Sequence, residues 1–261
     1  MEIEAKRTAC FAGEVVALEA DSDGPGGVRW TGGGAPASGE GRGFRTVYSE
    51  GGTYTVRAER GEETAEVEIT VCPMQEWLER AADFFGPALD LGRVRVIGSR
   101  WVLGPRGSAW TCNTVVRFRR PIRAEDLPSE ATLIHELGHV WEHRAGQTQL
   151  LSGLLEQMGR RFRRRDPYDY GGPAGVRSAE SLTRFSKESQ AQIISELWKA
   201  EHGHRTDRKN VEFTSEGYLD DLRRLVRGAG IGTADPTRRT FGGAIDSWIA
   251  RSANLVLARF E

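Results

Sequence analysis

Ala131-Thr132-Leu133-Ile134-His135-Glu136-Leu137-Gly138-His139-Val140-Trp141 is the stretch that decides how the second half of this 261-residue chain is read. Apolar Leu133, Leu137, Val140 and Trp141 recur at helical spacing, which predicts a buried helix. Pro128-Ser129 supplies its start, with Ser129 as N-cap and Thr132 three residues on. On that helix His135 and His139 lie one turn apart on one face, so both can reach the same metal ion. The order His-Glu-x-x-His pairs two zinc ligands with a general base. Glu136 follows the first ligand, where it can take a proton from a zinc-bound water.

Two histidines do not complete such a centre, because a catalytic zinc takes a third protein ligand and leaves a position for water. A glycine three residues and a histidine six residues after His139 would be one solution, but those positions hold Glu142 and Ala145. His143 is four residues beyond His139. Three successive histidines at that spacing cannot converge on one ion from a straight helix, so His143 reads as a surface or supporting residue. The better option is a carboxylate on a later helix, and the segment Phe185-Ser186-Lys187-Glu188-Ser189-Gln190-Ala191-Gln192-Ile193-Ile194 is the candidate.

Outward from the motif, the chain divides in two. Residues 1–72 carry short alternating runs between glycine-rich turns: 15–19, 28–30, 44–48, 51–58 and 65–71, with 32–43 as a flexible loop. Strict alternation in Ala65-Glu66-Val67-Glu68-Ile69-Thr70-Val71 predicts one buried and one wet face, and the set predicts a small all-β sandwich. Cys72-Pro73-Met74 reads as a linker into a second domain, 73–261, of α+β type and mostly helical. Its core is expected at about 93–200, with a helical extension over 205–261. Within it, helices are expected at 75–85, 150–165, 187–201, 216–227 and 244–260. Strands are expected at 93–97 and 108–118, the latter broken near Asn113.

Composition narrows the partners. The formal net charge is -1 and the pI is about 6.6, so no global basic field points to nucleic acid. The local run Arg160-Arg161-Phe162-Arg163-Arg164-Arg165 reads first as a solvated helix end. No stretch approaches the ~18 apolar residues of a membrane span. The first residues lack the apolar core of a signal peptide, so the expected place is the cytoplasm, or outside by a route without a cleaved signal. Cys10, Cys72 and Cys112 have no metal-binding spacing; Cys10 and Cys72 fall at the two ends of the first domain, yet idle thiols are expected.

Three resemblances add to this reading. Gly51-Gly52-Thr53-Tyr54-Thr55-Val56 resembles the signature of PKD-like and bacterial immunoglobulin-like domains, with Val28-Arg29-Trp30 in the place of their core Trp strand. Such modules serve as spacers or binding platforms, which implies a protein partner for the sandwich. The second half resembles the gluzincin zinc peptidases, whose third ligand is a helix Glu, followed by a small Ala and then a polar residue that holds a ligand His. Glu188, Ala191 and Gln192 fill those positions, with Glu196 and Glu180 as alternative ligands. Ala109 to Phe118, the motif helix, Asp166-Pro167-Tyr168-Asp169-Tyr170 and Phe185 to Ile194 together resemble a set of bacterial metallopeptidase-like proteins found with Vgr/Rhs toxin and contractile-injection loci. Cys112 departs from their usual Gly.

These resemblances imply a zincin-like domain holding zinc on His135, His139 and Glu188 and hydrolysing a peptide bond in a protein or peptide substrate, with Glu136 as general base. Tyr168 and Tyr170 are the candidate oxyanion donors, with His202 and His204 as weaker ones. An edge strand near Trp110 to Phe118 would align the substrate by strand addition. The competing expectation is a non-catalytic binding or adaptor module with a structural or degenerate zinc site.

Overall fold

Alternation of apolar and polar side chains organises the first part of the computed structural model, which describes residues 1–21, 27–100, 102, 108–146, 168–203 and 216–233. Strands β1 (Ile3–Ala5), β3 (Val15–Ala20) and β6 (Gly43–Val47) form one antiparallel sheet in the order β1-β3-β6. Strands β2 (Ala9–Phe11), β4 (Arg29–Thr31), β5 (Ser38–Glu40), β7 (Gly52–Arg60) and β8 (Glu63–Cys72) form a second, ordered β2-β8-β7-β4-β5. The two sheets share one apolar core. Val16, Leu18 and Phe44 come from the first, and Trp30, Val56, Ala58 and Ile69 from the second. Trp30 is fully buried and stacks on Phe44 at 5.7 Å, and its indole N–H donates to the Gly41 carbonyl.

Two details differ from the sequence reading. The expected loop over 32–43 contains β5, which pairs with β4 through Arg29↔Glu40 and Thr31↔Ser38; with little apolar content it carries no alternation to read. The expected linker is a single residue: β8 ends at Cys72 and helix α1 (Met74–Phe85) starts at Met74. Cys10 and Cys72 do lie on the paired strands β2 and β8, and both are free thiols. Burial pushes Cys10 up to about 11 and Cys72 up to about 12.

The second part joins a small sheet to helices. Strands β9 (Arg95–Ser99), β10 (Ala109–Cys112) and β11 (Val115–Arg119) are ordered β10-β11-β9, so β10 lies at an edge. β10 and β11 form a hairpin that turns at Asn113, which adopts a left-handed φ of 56°. Helix α2 (Glu130–Arg144) begins as expected, with the Ser129 hydroxyl accepting from the Thr132 N–H at 3.2 Å. A short helix α3 (Gly172–Ser178) precedes α4 (Lys187–Glu201) and α5 (Glu216–Gly228). Ser186 caps α4 in the same manner, and Leu222, Leu225 and Val226 of α5 close the core.

The first part is seated on the second. Phe11 belongs to the helical core and packs on Phe118 of β11. The buried Glu14 pairs with both Arg7 and Arg120, and the Thr8 N–H donates to the Ile122 carbonyl. Among the described residues, no helix is long and apolar enough to cross a membrane. The expected helices at 150–165 and 244–260 and the arginine run lie outside those residues.

Candidate metal centre

Helices α2 and α4 lie against each other at their smallest side chains. A Cβ added to Gly138 would stand 3.1 Å from the Ala191 Cα and 3.2 Å from its Cβ. That close approach lets His135, one turn before Gly138, and the adjacent His139 reach across to α4. Among the described residues, His135, His139 and Glu188 form a group whose ligand atoms all lie within 4.8 Å of one another. Glu188 Oε2 is 3.4 Å from His135 Nε2 and 3.6 Å from His139 Nε2. Donors about 2.0–2.2 Å from a tetrahedral ion stand about 3.3–3.6 Å apart, so two of the three separations match a common ion. The set is two imidazoles and a carboxylate, an ordinary zinc donor set.

The cluster is electrostatically coupled. Burial would raise the Glu188 pKa, but hydrogen bonding to His135 and His139 holds it well below the usual carboxylate range. Burial would lower His139, yet hydrogen bonds to Glu142 and Glu188 and the charge of Glu136 hold it well above an ordinary imidazole. A bound cation would take over the role of that proton, because a ligand histidine must be neutral.

The residue behind His139 differs from the expected one. Gln192 does not hold a ligand histidine: its amide donates to Glu196 Oε1 at 2.8 Å, one turn further along α4. The partner of His139 is Glu142, whose Oε2 lies 3.0 Å from Nδ1. Glu142 is fully buried, and burial raises its pKa against the pull of His139. This is the carboxylate–histidine arrangement that fixes a ligand ring's orientation and tautomer. Its spacing from His139, three residues on the same helix, was a readable signal. An acid directly after Val140-Trp141 on a buried helix needs a partner.

Glu136 is buried at 6% exposure. Its Oε2 lies 2.6 Å from the Thr111 hydroxyl of β10, which is also 3.2 Å from the Glu136 carbonyl. Thr111 is 25 residues away, and no local pattern announces the contact. The two tyrosines separate. Tyr168 stands over His135, ring centroids 5.8 Å apart. Tyr170 instead is buried, with its hydroxyl 2.8 Å from that of Tyr218 and its ring edge-on to Phe185, so it ties the loop to α5. Glu180 is exposed and outside the cluster. Glu196 lies two turns beyond Glu188. His202 ends α4, about 20 Å along the helix from Glu188, where it stacks on Trp198. His143 does not join the cluster, and His204 lies outside the described residues.

No protein-family model matches the chain. Over 149 residues, 54% of this chain, it is 29% identical to the type VI secretion system spike protein VgrG2b of Pseudomonas aeruginosa. The aligned part spans 13% of that protein's length.

Proposed function

We propose that the chain is a zinc-dependent peptidase with a zincin-like catalytic domain, in which His135, His139 and Glu188 hold the metal and Glu136 is the general base. The observation that carries this reading is the convergence of Glu188 on both motif histidines across two helices, with Glu136 buried beside them. A motif that arose by chance in a helix would have no reason to meet a third ligand there. When bound, zinc supplies Lewis-acid chemistry, acidifying water and polarising a carbonyl.

The chain's own residues then have assignable parts. Glu136 accepts the proton of the attacking water and returns it to the leaving amine. Glu142 keeps His139 oriented. Tyr168, beside His135, is the candidate donor to the developing oxyanion. A peptide substrate would lie along β10. The Arg119 N–H donates to the Ser108 carbonyl at 3.0 Å. Antiparallel alternation then makes Ser108, Trp110 and Cys112 pair with β11. Ala109 and Thr111 turn their backbone groups to the open edge, where no strand pairs among the described residues.

The resemblance to a spike protein supports a place for this peptidase beside a contractile-injection apparatus, with the immunoglobulin- or PKD-like sandwich as the surface facing a protein partner. The test is metal content and hydrolysis together. Wild-type protein should carry about one zinc per chain, and His139→Ala and Glu188→Ala should lose it. Glu136→Gln should keep zinc and lower cleavage of labelled casein by about 10²- to 10⁴-fold. Zinc retained in Glu188→Ala would remove that ligand. Full activity in Glu136→Gln would remove the base.

A further inference from the structure

The hydroxyl of Thr111 touches the carboxylate of the proposed base, and it does so from the strand that would carry the substrate. Its Oγ1 lies 2.6 Å from Glu136 Oε2. The other carboxylate oxygen is not needed for this contact. A carboxylate accepting one hydrogen bond at that distance loses rotational freedom about its terminal torsion, which is otherwise broad. Thr111 is itself held: β10 pairs with β11 through Thr111↔Val116, and Val116 is fully buried in the helical core. β11 is gripped in turn by Phe11 of the first part, against Phe118. The edge strand, the base and the helical core are thus one connected unit.

Resting on the peptidase reading above, we propose that Thr111 is a positioning residue, whose hydroxyl locks Glu136 so that its second oxygen faces the attacking water. The same residue turns its backbone toward the open edge of β10, so the base and a strand-bound substrate share one reference point. Thr111 hydrogen-bonds to Glu136 and, among the described residues, to none of the three ligands' donor atoms, so zinc affinity is expected not to depend on this contact.

The experiment compares Thr111→Val, which keeps the shape and strand preference, with Thr111→Ser, which keeps the hydroxyl. Three quantities are measured: zinc affinity, kcat and KM on labelled casein, and the ¹³C resonance of the Glu136 carboxyl carbon, assigned with Glu136→Gln. Thr111→Val should lower kcat by about 10- to 100-fold, with KM and zinc affinity within about twofold. Thr111→Ser should restore most of the rate. An unchanged kcat in Thr111→Val, or a loss that Thr111→Ser does not recover, overturns the proposal. If wild-type protein binds zinc but cleaves nothing, the peptidase reading fails and the carboxyl resonance decides the positioning claim. It must move in Thr111→Val and return in Thr111→Ser; the same resonance in all three proteins overturns it. Should Thr111→Val not fold, Thr111→Ala takes its place in each comparison.

Discussion

The interior of the two-sheet region and the interior between α2 and α4 obey opposite rules. The first is filled by Trp30, Phe44, Val56 and Ile69, and needs few polar partners. The second concentrates charge: among the described residues, every buried polar or charged side chain except Glu14 and Thr46 lies on α2 or α4. Burying a charge is costly unless it is paired. A helix pair that gathers Glu136, Glu142 and Glu196 in its interior must pair them, as His139 does for Glu142 and Gln192 for Glu196, and this fits the proposed metal site. The difference separates a region whose residues packing explains from one whose buried polar groups surround a cluster that could hold a metal ion.

Trp30→Ala should show the largest effect and the cleanest division. It removes the central side chain of the sheet core and should cost about 3–5 kcal/mol of stability, read by chemical denaturation. Zinc affinity of the folded protein should stay the same. A fall in zinc affinity would mean that the contact of Phe11 with Phe118 carries strain from one region into the other.

Glu142→Gln probes the second region alone. The change is nearly isosteric, and the amide oxygen can still accept from His139 Nδ1–H, so zinc affinity should fall by about tenfold, the low end for such supporting residues. Competition with a coloured chelator measures it. Unaltered affinity would reduce Glu142 to a packing residue.

A smaller effect is expected in the pH dependence of the metal-free protein. Glu188 is held below its ordinary value of 4.5, so its contribution is present above that pH and is lost as pH falls. His139 is held well above its ordinary value of 6.5, so its contribution is present below that pH and is lost as pH rises through the raised value. The two overlap between 4.5 and 6.5, where the helix cluster should add most stability. Glu142, raised by burial, tilts the balance toward the acid side. Zinc should reverse the trend, because its ligands must be deprotonated and its affinity climbs with pH. Melting profiles with and without metal from pH 4 to 9 would show the two curves diverging above neutrality. Parallel curves would count against His139 as a ligand.

Much of this was legible in the residues alone. The start of α2 at Ser129, the span of α4 and the alternation of β8 follow from capping preferences and periodicity, which are local properties of the chain. The two histidines and Glu136 follow from the same helical geometry. The carboxylate on the later helix could be nominated only through the resemblance to gluzincin peptidases, because no local pattern ties Glu188 to a helix more than 40 residues earlier. What periodicity could not reveal were contacts between elements. β5 has no apolar pattern, Tyr170 finds Tyr218 on a helix 48 residues away, and Gln192 pairs with Glu196 while Glu142 holds His139.

By itself the sequence determined a β-rich first part, a mainly helical second part and a helix bearing His135, Glu136 and His139 within five residues. Tertiary structure alone decided that Gly138 meets Ala191, and thereby how near Glu188 comes to the two imidazoles. It also decided that Thr111 closes on Glu136. The physical reason is one of range. Backbone propensity and side-chain period act over a few residues, whereas a ligand set is completed by the distance between two packed helices, and that distance depends on side chains more than 50 positions apart in the chain, Gly138 and Ala191.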